Sequence, residues 1–298
     1  MKIAVTGASG LIGSALVPAL RADGHQILTV VRREPRSGDE VQWDPAAGQL
    51  ESSALAGVEA AVHLAGAGIA DKRWTPAYKD LVLRSRVDGT RLLSERLAAL
   101  DPKPRVLLSG SAVGWYGDTG DREVDETEPR GGGFLADVVQ AWEQATSAAD
   151  TAGIRTVHLR TGIVLSARGG AFAKQLLPAK LGLGGPLGSG RQYQSWIVLE
   201  DEVAAIRFLL TADDVAGAVN LTAPHPARQR DVATALGRAL HRPAVIPTPG
   251  FAIKLLFPGF AEEGILAGQR AVPRALERAG FTWQHPDLDE AIVAALAD

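Results

Sequence analysis

The sequence predicts an α/β fold: a doubly wound, parallel sheet with a smaller, mostly helical C-terminal lobe. Three observations carry this reading. Short, nearly continuous apolar runs alternate with helical patterns through the first half of the 298 residues. Strands of that kind have no polar face to show to water, so they imply a parallel sheet covered by helices on both sides. A glycine-spaced turn joins the first apolar run to the first helical pattern. After a glycine-dense loop at 182–190, proline becomes frequent and helices dominate from Pro224 onward.

Residues 2–6 (KIAVT) form the first strand. Residues 11–22 carry apolar side chains at helical spacing and stop before Gly24, a natural terminator. Residues 26–31 and 59–64 are the next strands. Residues 75–100 make a long helix, with Pro76 in its first turn and Pro102 just past its end. A fourth strand covers 105–109, a helix 134–152, and a fifth strand 156–165, set off by Gly153. Residues 182–190 (GLGGPLGSG) are a glycine-dense loop, 201–210 a short helix, and 218–221 a strand returning to the sheet. Helices at 231–240 and 287–296 lie in the lobe. The expected division is a sheet domain over 1–168, rejoined by the strand near 217–222, and a lobe over 169–298.

Composition narrows the function classes. With no Cys there is no disulfide framework, thiolate metal site or cysteine nucleophile. The charge is near balance, 31 Lys+Arg against 34 Asp+Glu. That argues against a nucleic-acid partner, which would demand a basic excess. No apolar run approaches the roughly 20 residues of a membrane span. The first strand starts too early to leave room for a signal peptide. A cytoplasmic protein with a small-molecule substrate is expected, monomeric or homodimeric, with no nucleic-acid or membrane partner. The six His residues show no ligand spacing, so no metal is expected.

The most informative motif is Gly7-Ala-Ser9-Gly10-Leu11-Ile12-Gly13, between the first strand and first helix. This is the context in which such a spacing signals dinucleotide binding in a Rossmann fold. Gly7 permits the tight turn, Gly10 lets a pyrophosphate approach the backbone, and Gly13 lets helix pack on strand. The helix N-terminus offers free N–H groups to the phosphates. No Lys-Ser/Thr follows, which argues against a nucleoside-triphosphate loop. The second strand ends Val30-Val31-Arg32-Arg33, with no carboxylate where NAD binders place one. Guanidinium groups there suit a ribose 2′-phosphate. The expected cofactor is NADP(H), held through Arg32 and Arg33.

With these residues stand Trp43-Asp44-Pro45, His63-Leu-Ala-Gly66, Arg73-Trp74, Ser85-Arg86, Ser109-Gly-Ser-Ala-Val-Gly-Trp-Tyr-Gly117, Trp142-Glu143, Arg160-Thr-Gly-Ile-Val-Leu165 and Ser195-Trp196-Ile197. In this set the chain resembles the extended short-chain dehydrogenase/reductase superfamily. More narrowly, it resembles an atypical epimerase-like branch with a C-terminal domain of unknown function. The resemblance implies that Leu64, Ala65 and Ser109 lie beside the cofactor, that Arg86 contacts NADP, and that Val164 sits near the nicotinamide.

Ordinary members of that superfamily use a Tyr and, four residues on, a Lys that lowers its pKa, with an upstream Ser. Here Tyr78, Tyr116 and Tyr193 are followed four residues on by Val82, Gly120 and Ile197. Aligning Glu143 with a recurrent Glu of the family puts Leu135 and Val139 in the places of Tyr and Lys. The upstream Ser is kept as Ser111. Tyr116 is a candidate proton donor if Arg86 is close enough to lower its pKa; otherwise it is a packed aromatic. Ser111 could orient a carbonyl or merely cap a loop. Glu143 could titrate only if buried near the pocket and is otherwise expected at the surface or in a helix pair. Trp196 is expected in the core, the alternative being a pocket wall. Arg191 and Gln192 either hold a charged substrate or are solvated. The expected function is an NADP(H)-dependent oxidoreductase or epimerase-like activity, the alternative a non-catalytic NADP(H)-binding sensor.

Overall fold

The computed structural model describes residues 1–298. The chain runs β1 (Lys2–Thr6), α1 (Leu11–Ala22), β2 (Gln26–Val31), β3 (Glu40–Gln42), β4 (Ala60–His63), α2 (Pro76–Ala98) and β5 (Val106–Ala112). It continues with β6 (Glu123–Val124), α3 (Phe134–Gln144), α4 (Ser147–Thr151), β7 (Arg155–Thr161), β8 (Ile163–Leu165), α5 (Gly170–Lys180), β9 (Tyr193–Gln194) and β10 (Trp196–Val198). The last stretch holds α6 (Leu199–Thr211), β11 (Gly217–Leu221), β12 (Ala227–Arg228), α7 (Gln229–Leu240), α8 (Gly250–Leu256), β13 (Arg270–Ala271), α9 (Arg274–Arg278) and α10 (Leu288–Ala297).

Seven strands form one parallel sheet in the order β11-β7-β5-β4-β1-β2-β3. Successive side chains of a strand face opposite ways, and the core divides accordingly. Ile3, Val5, Leu108 and Val157 pack with Leu16 of α1 and Ile206 of α6. Ala4, Leu28 and Leu107 pack on the other face with Leu93 and Leu97 of α2. The strand order reverses at β1, between β4 and β2, so a crevice opens beyond the C-terminal ends of β1 and β4, where ligands bind in such sheets.

Two expected elements are each split in two. The helix expected over 134–152 breaks after Gln144, where the Thr146 hydroxyl donates to Glu143 O at 2.8 Å. Such local side-chain bonds compete with the helical ladder. The strand expected over 156–165 divides at Gly162: β7 stays in the central sheet while β8 pairs with β10. A Cβ at Gly162 would lie 2.2 Å from Ser195 O, so the backbones meet where only glycine fits. β3, three residues at the sheet edge, has too short a pattern to be seen in the sequence.

The lobe has its own core, in which Leu165, Phe172, Trp196, Leu236 and Ile292 are buried. Trp196 is core as expected, its indole N–H donating to His225 O at 3.1 Å. No helix is long and apolar enough to cross a membrane.

Candidate functional site

The crevice begins at the glycine turn. Gly7 has φ +70°, and a Cβ there would lie 2.6 Å from the carbonyl carbon of Leu64. A Cβ at Gly13 would lie 2.2 Å from Gly7 O, so α1 can rest on the turn only with glycine at that position. No side chain caps α1, whose N-cap is Gly10. Its first N–H groups are therefore available to an anion. Ser9 and Gly10 are exposed, while Leu11 and Ile12 pack with Leu64 and Val164 against the core.

Thr6 ties the turn to β4. Its Oγ1 accepts from Leu64 N (3.1 Å) and Ala65 N (3.2 Å) and contacts His63 Nδ1 at 2.7 Å. His63 is completely buried, and burial pushes its imidazole down to about 4, so it stays neutral and structural. Ser109 sits on the rung beside His63 with no exposed surface. It stands behind the crevice, and the contact with cofactor implied for it is corrected: no surface remains for one.

The two arginines after β2 separate in role. Arg33 Nη1 and Nη2 bond Glu40 at 2.8 and 2.5 Å, and that pairing holds the Glu40 carboxyl down to about 2. Arg32 is exposed and makes no hydrogen bond or ion pair within the chain. Of the two expected phosphate ligands, Arg33 is engaged by Glu40 and Arg32 is left free. Arg86, packed against Gly66 just past β4, also lacks a carboxylate partner. Its Nη1 donates to Ala67 O (2.9 Å) and Val82 O (3.1 Å), and its guanidinium lies 5.0 Å from the Trp142 ring centre. Desolvation by burial lowers it to about 10.

Beyond β5 lies a buried polar chain that the sequence did not reveal. Ser111, Arg160 and Asn220 share one rung of β5, β7 and β11. Ser111 Oγ donates to Glu143 Oε1 at 2.6 Å. Arg160 donates to the same carboxylate through Nε (2.8 Å) and Nη2 (3.0 Å), and through Nη1 to the Tyr116 hydroxyl (3.1 Å). That hydroxyl donates to Asn220 Oδ1 at 2.9 Å, and Asn220 Nδ2 donates to Val272 O at 2.9 Å. Glu143 is therefore buried, which corrects the expected surface or helix-pairing role.

Tyr116 is 2% exposed, and burial pushes its phenol up to about 12. The cation beside it is Arg160; Arg86 lies over Trp142 instead. The conditional lowering of the Tyr116 pKa by Arg86 is accordingly not found.

Cβ positions at Gly114 would meet Leu135 and Val139, so these two apolar residues face the end of β5. The N–H of Leu135 is bonded by Glu263 Oε2 of the lobe at 2.9 Å. Gln192 donates to Leu187 O (3.0 Å) and Ile265 O (3.2 Å), bracing the glycine-rich loop, while Arg191 is exposed. Arg160, Asn220 and Glu263 were missed because their partners lie far away in sequence. The only signal available was the shared strand parity of Ser111 and Arg160.

Known proteins match this architecture along its whole length. The model of the NAD dependent epimerase/dehydratase family matches residues 3–222, and that of a domain of unknown function, DUF1731, matches 248–295. Epimerase family protein MT2273 of Mycobacterium tuberculosis is 47% identical over 290 residues, covering 97% of this chain and 96% of that protein. Human epimerase family protein SDR39U1 is 34% identical over 300 residues, covering all of both. Its crystal structure with NADPH superposes with a TM-score of 0.90 at 32% identity over 100% of each chain. A nucleoside-diphosphate sugar epimerase from Corynebacterium glutamicum gives 0.82 at 33% identity, covering 99% of this chain and 58% of that one.

Proposed function

The chain belongs to the NAD dependent epimerase/dehydratase family, and from that premise we propose that it is an NADP(H)-dependent oxidoreductase or epimerase-like enzyme. Its substrate is a small carbonyl or alcohol, or a molecule resembling a nucleotide sugar. The observation that carries this reading is the pair of guanidinium groups left without carboxylates along the crevice, Arg32 outside and Arg86 inside. Burying Arg86 without a carboxylate is costly, and an anionic or carbonyl-bearing ligand offsets it, while exposed Arg32 is free to meet a phosphate. The glycine turn fits the same group: the uncapped helix N-terminus would take the pyrophosphate and Arg32 the 2′-phosphate, with Leu64 and Ala65 beside the cofactor and Val164 near its nicotinamide. The human relative crystallised with NADPH supports this choice of cofactor.

When bound, the nicotinamide supplies hydride transfer. The chain's own residues orient and exclude. Leu135 and Val139 put an apolar wall where a proton relay would stand. Ser111 has one proton, and it is given to Glu143, so toward any other group it offers lone pairs only. Ser111 is thereby suited to receive the hydroxyl of an alcohol and unsuited to polarise a carbonyl. Tyr116, with its raised pKa and both hydroxyl bonds occupied, holds its proton.

The test is titration with NADPH and NADH, followed by a panel of alcohols and carbonyls read by cofactor absorbance. Turnover that falls 10²-fold or more in Ser111→Ala supports the enzyme. No heat with either coenzyme on folded protein overturns the reading. One observation favours a second reading, a non-catalytic NADP(H) sensor: neither Ser111 nor Tyr116 has a proton free for the crevice. Tight NADPH binding without turnover on any panel member would select it.

A further inference from the structure

Of the eleven large apolar side chains left exposed in the chain, nine fall in two short stretches, 177–183 and 245–257. Scattered exposed apolar residues are ordinary; concentration of this kind is not. The two stretches form one surface. Thr248 N donates to Pro186 O and Gly188 N to Thr248 O, both at 2.8 Å, and Arg242 Nε donates to Lys180 O at 3.0 Å. A Cβ at Gly185 would lie 2.1 Å from Ile246 O. Leu177 and Leu181 are one helical turn apart at the end of α5, and Phe251 and Leu255 one turn apart on α8, so each helix turns an apolar stripe outward. Their exposures are 68%, 66%, 76% and 80%.

Charge distinguishes the possible occupants. Residues 171–190 and 241–260 hold Lys174, Lys180, Arg242 and Lys254 and not one Asp or Glu. The chain as a whole is acidic, at −3. Lys254 reaches Glu262, and Lys174 approaches Asp71, both across exposed pairs; Lys180 has no carboxylate partner. A second copy on a two-fold axis would set the uncompensated Lys180 and Arg242 against the same residues of the other copy. An anionic, apolar-cored surface complements them.

We propose that this face of the lobe docks on the surface of an anionic lipid bilayer, with Phe251, Leu255, Leu177 and Leu181 entering the headgroup boundary and the cations at its rim. An apolar face flanked by Lys and Arg is the composition that lies in the membrane interface. The inference concerns lying on a membrane, where the expectation of no membrane partner rested on the lack of a segment able to cross one. It is independent of the proposed chemistry.

The experiment is flotation of the full chain with phosphatidylcholine vesicles, with and without 30% phosphatidylglycerol (about the anionic share that builds a surface potential). Binding is expected to the anionic vesicles, to weaken in high salt, and to fall about tenfold or more in Leu255→Asp and in Lys180→Glu/Arg242→Glu. Both variants should keep the parent's circular dichroism and NADPH affinity, since neither touches the crevice. No binding to anionic vesicles, or binding unaltered in both variants, overturns the proposal. So does a concentration-dependent dimer that Leu255→Asp dissociates in protein that ignores vesicles, which would assign the face to self-association.

Discussion

Ser111 Oγ donates to Glu143 Oε1 across 2.6 Å, so the hydroxyl at the end of β5 is oriented by an acid buried on α3. Glu143 in turn neutralises Arg160, and Arg160 holds Tyr116 and, through it, Asn220. Three strands and α3 are locked by one carboxylate.

Glu143→Gln removes that charge and leaves the Arg160 guanidinium buried and unpaired. Breaking a buried pair from one side costs about 3–5 kcal/mol. Urea unfolding should show a loss of that order, while Ser111→Ala, which deletes one hydrogen bond to a charged group, should cost about 1–3 kcal/mol.

Tyr116→Phe should act on stability. It strips a partner from both Arg160 Nη1 and Asn220 Oδ1, a loss of about 1–3 kcal/mol measured by denaturant midpoint. If turnover is found, its pH profile should show no limb that vanishes in Tyr116→Phe, because the phenol stays protonated to about 12.

Glu202 carries the pH dependence. It is fully buried on α6, accepts from the Thr161 hydroxyl at 2.8 Å, and leaves its second oxygen without a partner. Burial pushes its carboxyl from 4.5 up to about 8. In the unfolded chain the acid ionises first, so above pH 4.5 the native state binds more protons than the unfolded one. The stabilising contribution is complete below pH 4.5 and declines as pH rises to about 8. Glu202→Gln abolishes this slope, so it should gain on the parent from pH 5.5 to pH 8.5, by on the order of a few kcal/mol. Equal pH dependence of the two proteins in urea melts would remove Glu202 as the cause.

Arg32→Ala should weaken NADPH about 10- to 150-fold and leave NADH nearly unchanged, the value of one charged hydrogen bond to a 2′-phosphate. Arg33→Ala should have a much smaller effect on coenzyme choice, since its guanidinium is engaged by Glu40. Fluorescence titration of both coenzymes against both variants checks the pair. An equal loss in the two variants would return Arg33 to the site.

Much of this architecture is legible in the sequence. The boundaries of β1, α1 and β2 follow from apolar runs and from Gly24, and they match residue for residue. The absence of a Tyr-x-x-x-Lys pair is a matter of reading every Tyr. The turn at Gly7 to Gly13 announces itself through its spacing, and two of its constraints are local: the positive φ at Gly7 and the close approach of Gly13 to Gly7 O; the approach of Gly7 to Leu64 is tertiary.

Local spacing and periodicity thus determined the fold class, the glycine turn and the lack of a Tyr-x-x-x-Lys spacing, because each depends on residues close together in the chain. Tertiary structure alone decided which cations are free and which hydroxyls are occupied. Arg32 and Arg33 are neighbours of identical chemistry, and only the placement of Glu40 on the adjoining strand separates them. Ser111, Glu143 and Arg160 come together because strand register and helix packing fix their rung. Hydrogen bonds act over about 3 Å whatever the separation along the chain, so one sequence read in order contains no direct record of them.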